Sequence, residues 1–214
     1  MITEKVKITN DGEGMDAALA LTDRTAEAIG LNKRGGFHLR LLAEEMFSMV
    51  RAITGKFGAE FWIEEEDRTC RLNLSAKYEL GYSERREFLS VATGGKNSAS
   101  VGIMDKLRNL VEAGLYGLEE SFALQDKYGV GMFGYGAMDV MDAGMTEAVY
   151  SWSMQKYKAE VEANHSESEE TEEAWDELEK SIIANVADEV KASVRRDGVE
   201  LVVLKKFAKG GIAR

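Results

Sequence analysis

The chain has 214 residues, 44% of them hydrophobic, which suits one domain with an ordinary core, alone or carrying an insertion. Its charge of −11, from 27 basic and 38 acidic residues, leaves no basic footprint for nucleic acid and disfavours anionic lipid surfaces. A single cysteine, Cys70, excludes an internal disulfide, and two histidines, His38 and His165, are too few for a metal centre built on Cys and His.

The opening stretch, MITEKVKITNDGEG, has no apolar h-region, and no apolar run approaches the roughly 18 residues of a membrane span. The expectation is a soluble, cytoplasmic protein. Proline is absent, so turns fall to the 21 glycines and to Asn and Asp.

In chain order, Lys5 to Thr9 alternates as a short strand, closed by Asn10-Asp11-Gly12. Met15 to Ile29 carries Ala18, Leu19, Leu21, Ala26 and Ile29 at helical spacing, with Glu13 or Asp16 near its start and Gly30 at its end. Lys33-Arg34-Gly35-Gly36 leads into the clearest helix, Phe37 to Ile53. There Leu39, Leu42, Met46, Met49 and Ile53 form one stripe, widened by Ala43 and Val50. Glu44, Ser48 and Arg51 fall on the wet side and Glu45 on the border, one turn before Met49.

Gly55 to Gly58 breaks the helix. Glu60 to Glu65 and Thr69 to Ala76 then form an antiparallel hairpin joined at Glu66-Asp67-Arg68, with Leu72, Leu74, Cys70 and Ala76 on one face. Further on, Glu84 to Ala92 reads as a short helix and Thr93 to Ser100 as a loop. Val101 to Leu115 is a helix with Ile103, Leu107, Leu110, Val111 and Leu115 on its stripe. Gly129 to Gly144, with five glycines and three methionines, has no assignable pattern.

Glu147 to Ala163 reads as a helix, and Asn164 to Thr171 as a polar connector. Thr171 caps a helix with Glu172 and Glu173 in its first turn and Trp175, Leu178, Ile182 and Val186 on its stripe. Val190 to Val194 and Val199 to Phe207 are strands about an Asp197-Gly198 turn. No repeat is visible. Two antiparallel pairs with intervening helices predict one α+β domain over residues 1–214: a two-layer sandwich with helices on one face of a mixed, mostly antiparallel sheet. Residues 84–171 would be a helical, glycine-rich insertion or lid.

Three segments, LRLLAEEMFSMV (Leu39 to Val50), the hairpin EFWIEEEDRTCRLNLSA and the terminus ADEVKASVRRDGVELVVLKKF (Ala187 to Phe207), resemble the histidine-kinase-like (GHKL) ATPases. The likeness is greatest to their bacterial anti-sigma-factor and serine-kinase branch. It implies the two-layer fold of that superfamily, ATP and Mg²⁺ as ligands, and a bacterial, regulatory, cytoplasmic role. A protein partner is implied too, a sigma factor or an anti-anti-sigma-like regulator, along with a homodimer.

The family's Glu, which polarises the attacking group, matches Glu45, and the Mg²⁺-binding Asn four residues on matches Met49. Shifting by one pairs Glu44 with Ser48. A thioether is a soft, weak ligand, whereas Mg²⁺ takes hard oxygen donors. The family's Asp-x-Gly-x-Gly box falls on Ser75 to Tyr82, with Ala76 or Lys77 at the adenine-selecting Asp and only Gly81 resembling the box. Neither alanine nor lysine accepts the adenine amino hydrogen. The resemblance therefore implies a degenerate ATPase acting through protein binding. Its alternatives are an active Mg-ATP-dependent ATPase or serine kinase, with Asn97 or Asn109 supplying the metal oxygen, and a binder of some other small ligand.

Gly94-Gly95-Lys96-Asn97-Ser98 could cradle an anion ahead of the next helix, with Gly102 in the family's glycine-rich lid; an ordinary loop is the competing reading. Gly129 to Gly134 spells GxGxxG without the strand before it that a dinucleotide site needs. Cys70 on a buried strand face reads as a structural thiol. The ten acids between Glu160 and Glu179, unbroken by Lys or Arg, read as a solvated tip, or as an electrostatic contact for a basic partner.

Overall fold

A computed structural model describes residues 1–9, 11–54, 57–78, positions 103, 104, 106, 107, 109–111 and 114, and residues 150–164, 169–195 and 198–208. The described elements are β1 (Val6–Thr9), α1 (Met15–Ala28), α2 (Lys33–Thr54), β2 (Phe57–Glu66), β3 (Thr69–Tyr78), β4 (Tyr150–Ser153), α3 (Met154–Asn164), α4 (Glu169–Lys180), α5 (Ile182–Val186), β5 (Glu189–Arg195) and β6 (Gly198–Lys206). The strands form one open sheet in the order β1-β2-β3-β6-β5-β4. Every neighbouring pair is antiparallel, so the mixed sheet expected from the sequence is antiparallel throughout among the described residues. Two of the pairs, β2–β3 and β5–β6, are hairpins, and they meet at β3 and β6.

The register lines up apolar side chains in rows across the sheet. Val6, Phe61, Leu74, Leu201, Ala192 and Trp152 form one row, and Ile63, Leu72, Val203 and Val190 the next. With a side-chain period of two, all of these face the same way. That face carries the core, in which Phe61, Ile63, Leu72, Val203 and Val190 are fully buried. α2 lies on β3 and β6 with α1 beside it, and its stripe of Leu39, Leu42, Ala43, Met46, Met49 and Val50 is buried as the spacing predicts. Phe47, absent from the predicted stripe, is buried too, its ring edge-on to Phe61 at 5.1 Å.

Several elements differ from expectation for local reasons. α2 starts at Lys33, four residues before Phe37, because the Asn32 side chain caps it, accepting from Gly35 N–H at 2.8 Å. The helix expected over Glu147 to Ala163 is split: Tyr150–Ser153 is an edge strand, with Trp152 paired to Ala192, and the helix begins at Met154. Tyr and Trp suit a pleated, half-buried surface. The continuous stripe from Trp175 to Val186 is also broken. Ser181 is extended (φ −73°, ψ 120°) and its hydroxyl accepts from Ala184 N–H, ending α4 and starting α5. Ile182 is consequently 45% exposed. At the last hairpin Gly198 pairs with Arg195 inside the strand ladder, one place earlier than the predicted Asp197-Gly198 turn.

Helical positions between 103 and 114 bury Ile103, Leu107 and Val111, as predicted, and Gly114 sits against Val194, where a Cβ would come within 2.5 Å of a methyl group. The predicted helix over Glu84 to Ala92, the loop Thr93 to Ser100 and the stretch Gly129 to Gly144 lie outside the described residues. Of the expected insertion, residues 84–171, the described part supplies the edge strand β4 and the core-packed α3.

Two positions show why particular residues stand where they do. Gly14 has φ +79°, and a Cβ there would lie 1.9 Å from the Lys7 carbonyl oxygen, so the entry to α1 requires glycine. At the β2–β3 turn Asp67 (φ 48°) and Arg68 (φ 63°) both occupy the left-handed region that favours glycine or asparagine. The Arg68 main chain is tied on both sides: its N–H donates to Glu65 Oε1 at 3.0 Å and its carbonyl accepts from Phe207 N–H at 2.9 Å. Its guanidinium reaches the carbonyls of Ile29 and Gly30 at the C-terminal end of α1. Asp67 makes no comparable contact among the described residues, so Asp67→Gly should relieve backbone strain at little cost. We expect a gain of about 0.5–1 kcal/mol, read as a higher urea midpoint at unchanged m-value; a lower midpoint would contradict it.

Candidate functional site

The residues singled out in the sequence fall where the C-terminal half of α2 meets one end of the sheet. α2 ends at Thr54 and β2 begins at Phe57, so its last turns lie over the strand ends where Ala59 pairs with Ala76 and Ala76 with Val199. Glu45 is half-buried on the border of α2, as its spacing predicts. Met49, one turn on, is 3% exposed and belongs to the hydrophobic core cluster together with Ala76 at 1%. Ser48 is exposed to solvent.

The sheet register decides between the two candidates at the end of β3. Ala76 shares the helix-covered face with Leu72 and Leu74, whereas Lys77 is exposed on the opposite face, paired with Gly58 and Gly198. The structure therefore brings Glu45, Met49 and Ala76 to one end of the helix–sheet interface and leaves Lys77 on the other side of the sheet. Asn109 is exposed. Gly81, Gly94, Gly95, Lys96, Asn97, Gly102 and His165 lie outside the described residues.

Chemically, this corner offers one carboxylate and a thioether against a methyl group. Among the described residues no group of three or more His, Cys, Asp or Glu side chains is arranged to hold a metal ion. His38, half-exposed near the start of α2, is held below its usual pKa by loss of solvent, with Arg34 and Lys205 adding repulsion. It is therefore neutral at pH 7. Cys70 is fully buried, and that burial, reinforced by Glu65, pushes its thiol up to about 11.

The sign of this shift makes a prediction. A thiol with a raised folded-state pKa stabilises the fold below the unfolded value of 9.0, and that contribution is lost as pH rises toward 11. We expect unfolding free energy to fall by about 2 kcal/mol across that window, and the fall to be smaller in Cys70→Ala. Urea titrations at pH 8 and pH 11 measure it.

A cavity of about 640 Å³ lies elsewhere, at the hairpin end of the sheet, bounded by Met1, Ile2, Glu64, Glu66, Arg71 and Lys206 among others. Arg71 is six residues along β3 from Lys77, so the two ends are separated by about 20 Å at 3.3–3.4 Å per residue. The cavity is thus distinct from the Glu45–Met49–Ala76 corner. Its charges are mixed, with Arg71 Nε 3.9 Å from Glu64 Oε2.

Sequence reasoning passed over Glu189. Its carboxylate is 8% exposed and accepts from Ser153 Oγ (3.1 Å), Gln155 N–H (3.2 Å) and Val190 N–H (2.9 Å). It thereby joins β5 to the N-terminal turn of α3, where the helix dipole favours an anion. The available signal was slight: the second of two adjacent acids, Asp188 and Glu189, opening a β-rich stretch, 34 residues from its partner Gln155. No helix among the described residues is long and apolar enough to cross a membrane. No family model matches this chain, and neither a curated protein nor a solved structure matches it.

Proposed function

We propose that this chain is a non-catalytic relative of the histidine-kinase-like ATPases, nearest their anti-sigma-factor and serine-kinase branch, and that it acts by binding another protein. What supports the reading is an antiparallel α+β architecture whose long α2 carries Glu45 and Met49 over the end of the central hairpin. The single observation that carries it is the burial of Met49: a thioether, 3% exposed in the core, stands where the resemblance puts a magnesium-binding amide. Ala76 adds to it, since a buried methyl group offers no acceptor to an adenine amino group.

Without a hard oxygen donor beside the phosphates, Glu45 has no positioned substrate on which to act as a base. The partner implied is a regulator of the sigma-factor or anti-anti-sigma type. Isothermal titration of the chain with ATP in the presence of Mg²⁺ is the test. We expect no saturable heat at micromolar protein; micromolar, Mg²⁺-dependent binding would overturn the reading, and phosphate release or transfer that disappears in Glu45→Gln would establish an active site instead.

A further inference from the structure

The outer stripe of α2 departs from what helix stability favours in two ways. Lys33 and Arg34 open its first turn, which contains no acid, so two cations stand at the positive end of the helix dipole. Both are exposed, and neither makes an ion pair among the described residues, whereas Arg40 is neutralised by Asp23 and Glu44. Phe37, one turn after Lys33, is 62% exposed, and Leu41, next on the same stripe, is half-buried and outside the core cluster. Single apolar residues scattered over a surface need no explanation, but here an aromatic and an aliphatic side chain adjoin two unpaired cations. Neither feature helps the helix to form or to pack, and departures of this kind collect at functional positions.

We propose that this stripe docks an acidic segment of a partner protein, which sets an apolar side chain on Phe37 and Leu41 and its carboxylates against Lys33 and Arg34. Such a site deepens the protein-binding role proposed above and rests on it. Charge selects the occupant. In a chain of net charge −11, cations left without a carboxylate are open to a partner's acids. His38 registers the local field: besides loss of solvent, repulsion from Arg34 and Lys205 holds its pKa down. Lys205 reaches this turn because β6 ends beneath it, with Phe207 Cδ1 3.5 Å from where a Gly35 Cβ would lie. The stretch that follows Phe207, AKGGIAR, carries Lys and Arg without an acid, so its charge is wrong for the same place.

Size and composition agree. From Lys33 to Leu41 the stripe is about 12 Å long at 1.5 Å per residue, the reach of about four extended residues of a partner. An aromatic side chain beside an arginine is a frequent composition of interface hot spots, and flanking charges steer the encounter and set specificity. Anionic membranes and nucleic acids are attracted by the two cations but repelled by the acids elsewhere on the chain. A short acidic segment meets the patch alone, since exposed charges more than about 10 Å away are largely screened at 0.1 M salt.

Random peptides displayed on phage and panned on the full chain, with the Arg34→Glu protein as competitor, are the first measurement. Enriched sequences should be rich in Asp and Glu around an aromatic or aliphatic residue. In fluorescence anisotropy a labelled peptide of that kind should bind Arg34→Glu and Phe37→Ala at least ~10-fold more weakly than wild type, and more weakly as salt rises. Lys5→Glu changes the net charge equally but lies across the sheet, over the Trp62 ring, and should leave binding intact. The folding control has a definite sign. Arg34→Glu sets an acid at the start of α2, so its urea midpoint should equal or exceed that of wild type. Failure to enrich any peptide, enrichment of basic ones, unchanged binding to both variants, or equal weakening in Lys5→Glu overturns the inference. A lower midpoint in both variants also overturns it, because the stripe would then serve the fold's own packing. So does a dimer that Arg34→Glu dissociates, which would put a second copy there. ATP titration reads the other end of α2, with Met49 about 24 Å from Lys33 at 1.5 Å per residue, so failure of this site and failure of the non-catalytic reading are told apart.

Discussion

Met49→Asn should lower the unfolding free energy by about 3–8 kcal/mol. The side chain is 3% exposed on the stripe that α2 turns toward the sheet. Shortening it removes buried apolar contacts, which costs about 2–5 kcal/mol in comparable core truncations. The amide that replaces it needs hydrogen-bond partners that an apolar core does not supply, and that adds about 1–3 kcal/mol.

Met49→Leu, which keeps volume and polarity, should cost less than about 1.5 kcal/mol. Denaturant midpoints for the three proteins test the pair. The competing arrangement, in which position 49 opens onto a nucleotide cleft, gives the opposite pattern: the asparagine would be tolerated and Mg²⁺-dependent ATP binding would appear. The same substitution thus reads out both the packing of the core and the loss of the metal contact.

Glu189→Ala should cost about 2–4 kcal/mol. It strips the acceptor from Ser153 Oγ, Gln155 N–H and Val190 N–H together, and two of those donors sit where β4 passes into α3. Hydrogen bonds to an ionised group contribute about 1.5–3 kcal/mol, and a buried donor left unpaired costs about as much as a lost bond. Glu189→Gln retains an acceptor oxygen and should cost clearly less.

Because Glu189 fastens the edge strand, hydrogen exchange should show the loss first at β4 and the opening turn of α3, before the β2–β3–β6 centre. Uniform acceleration of exchange across the sheet would mean that Glu189 acts globally. Nearby, the Lys158 ammonium donates to the Ala184 carbonyl at the end of α5, and loss of solvent there lowers the lysine pKa. This corner is therefore held by polar ties, whereas the sheet centre is held by apolar rows.

Residue spacing alone determined the parts of the protein whose structure depends on nearby sequence. The stripe Leu39-Leu42-Met46-Met49 on α2 and the alternation of Cys70, Leu72, Leu74 and Ala76 are periodic patterns, and burial follows them because a side chain's direction repeats every 3.6 residues in a helix and every two in a strand. The sulfur at position 49 and the lone thiol at position 70 were equally plain. Elements set by a distant partner were not legible. Tyr150–Ser153 is a strand because β5 is there to pair with it, and Ser181 interrupts what looks like one helix because its own hydroxyl caps the next. Only the register, which sends Ala76 to the helical side and Lys77 to the open side, decided which of two neighbours faces α2, since a shift of one residue turns a side chain through the sheet. The same register gathered Trp62, Val202 and Leu204, 140 residues apart in the chain, onto the sheet face opposite Leu72 and Leu74, because strand pairing brings together side chains that no local pattern connects.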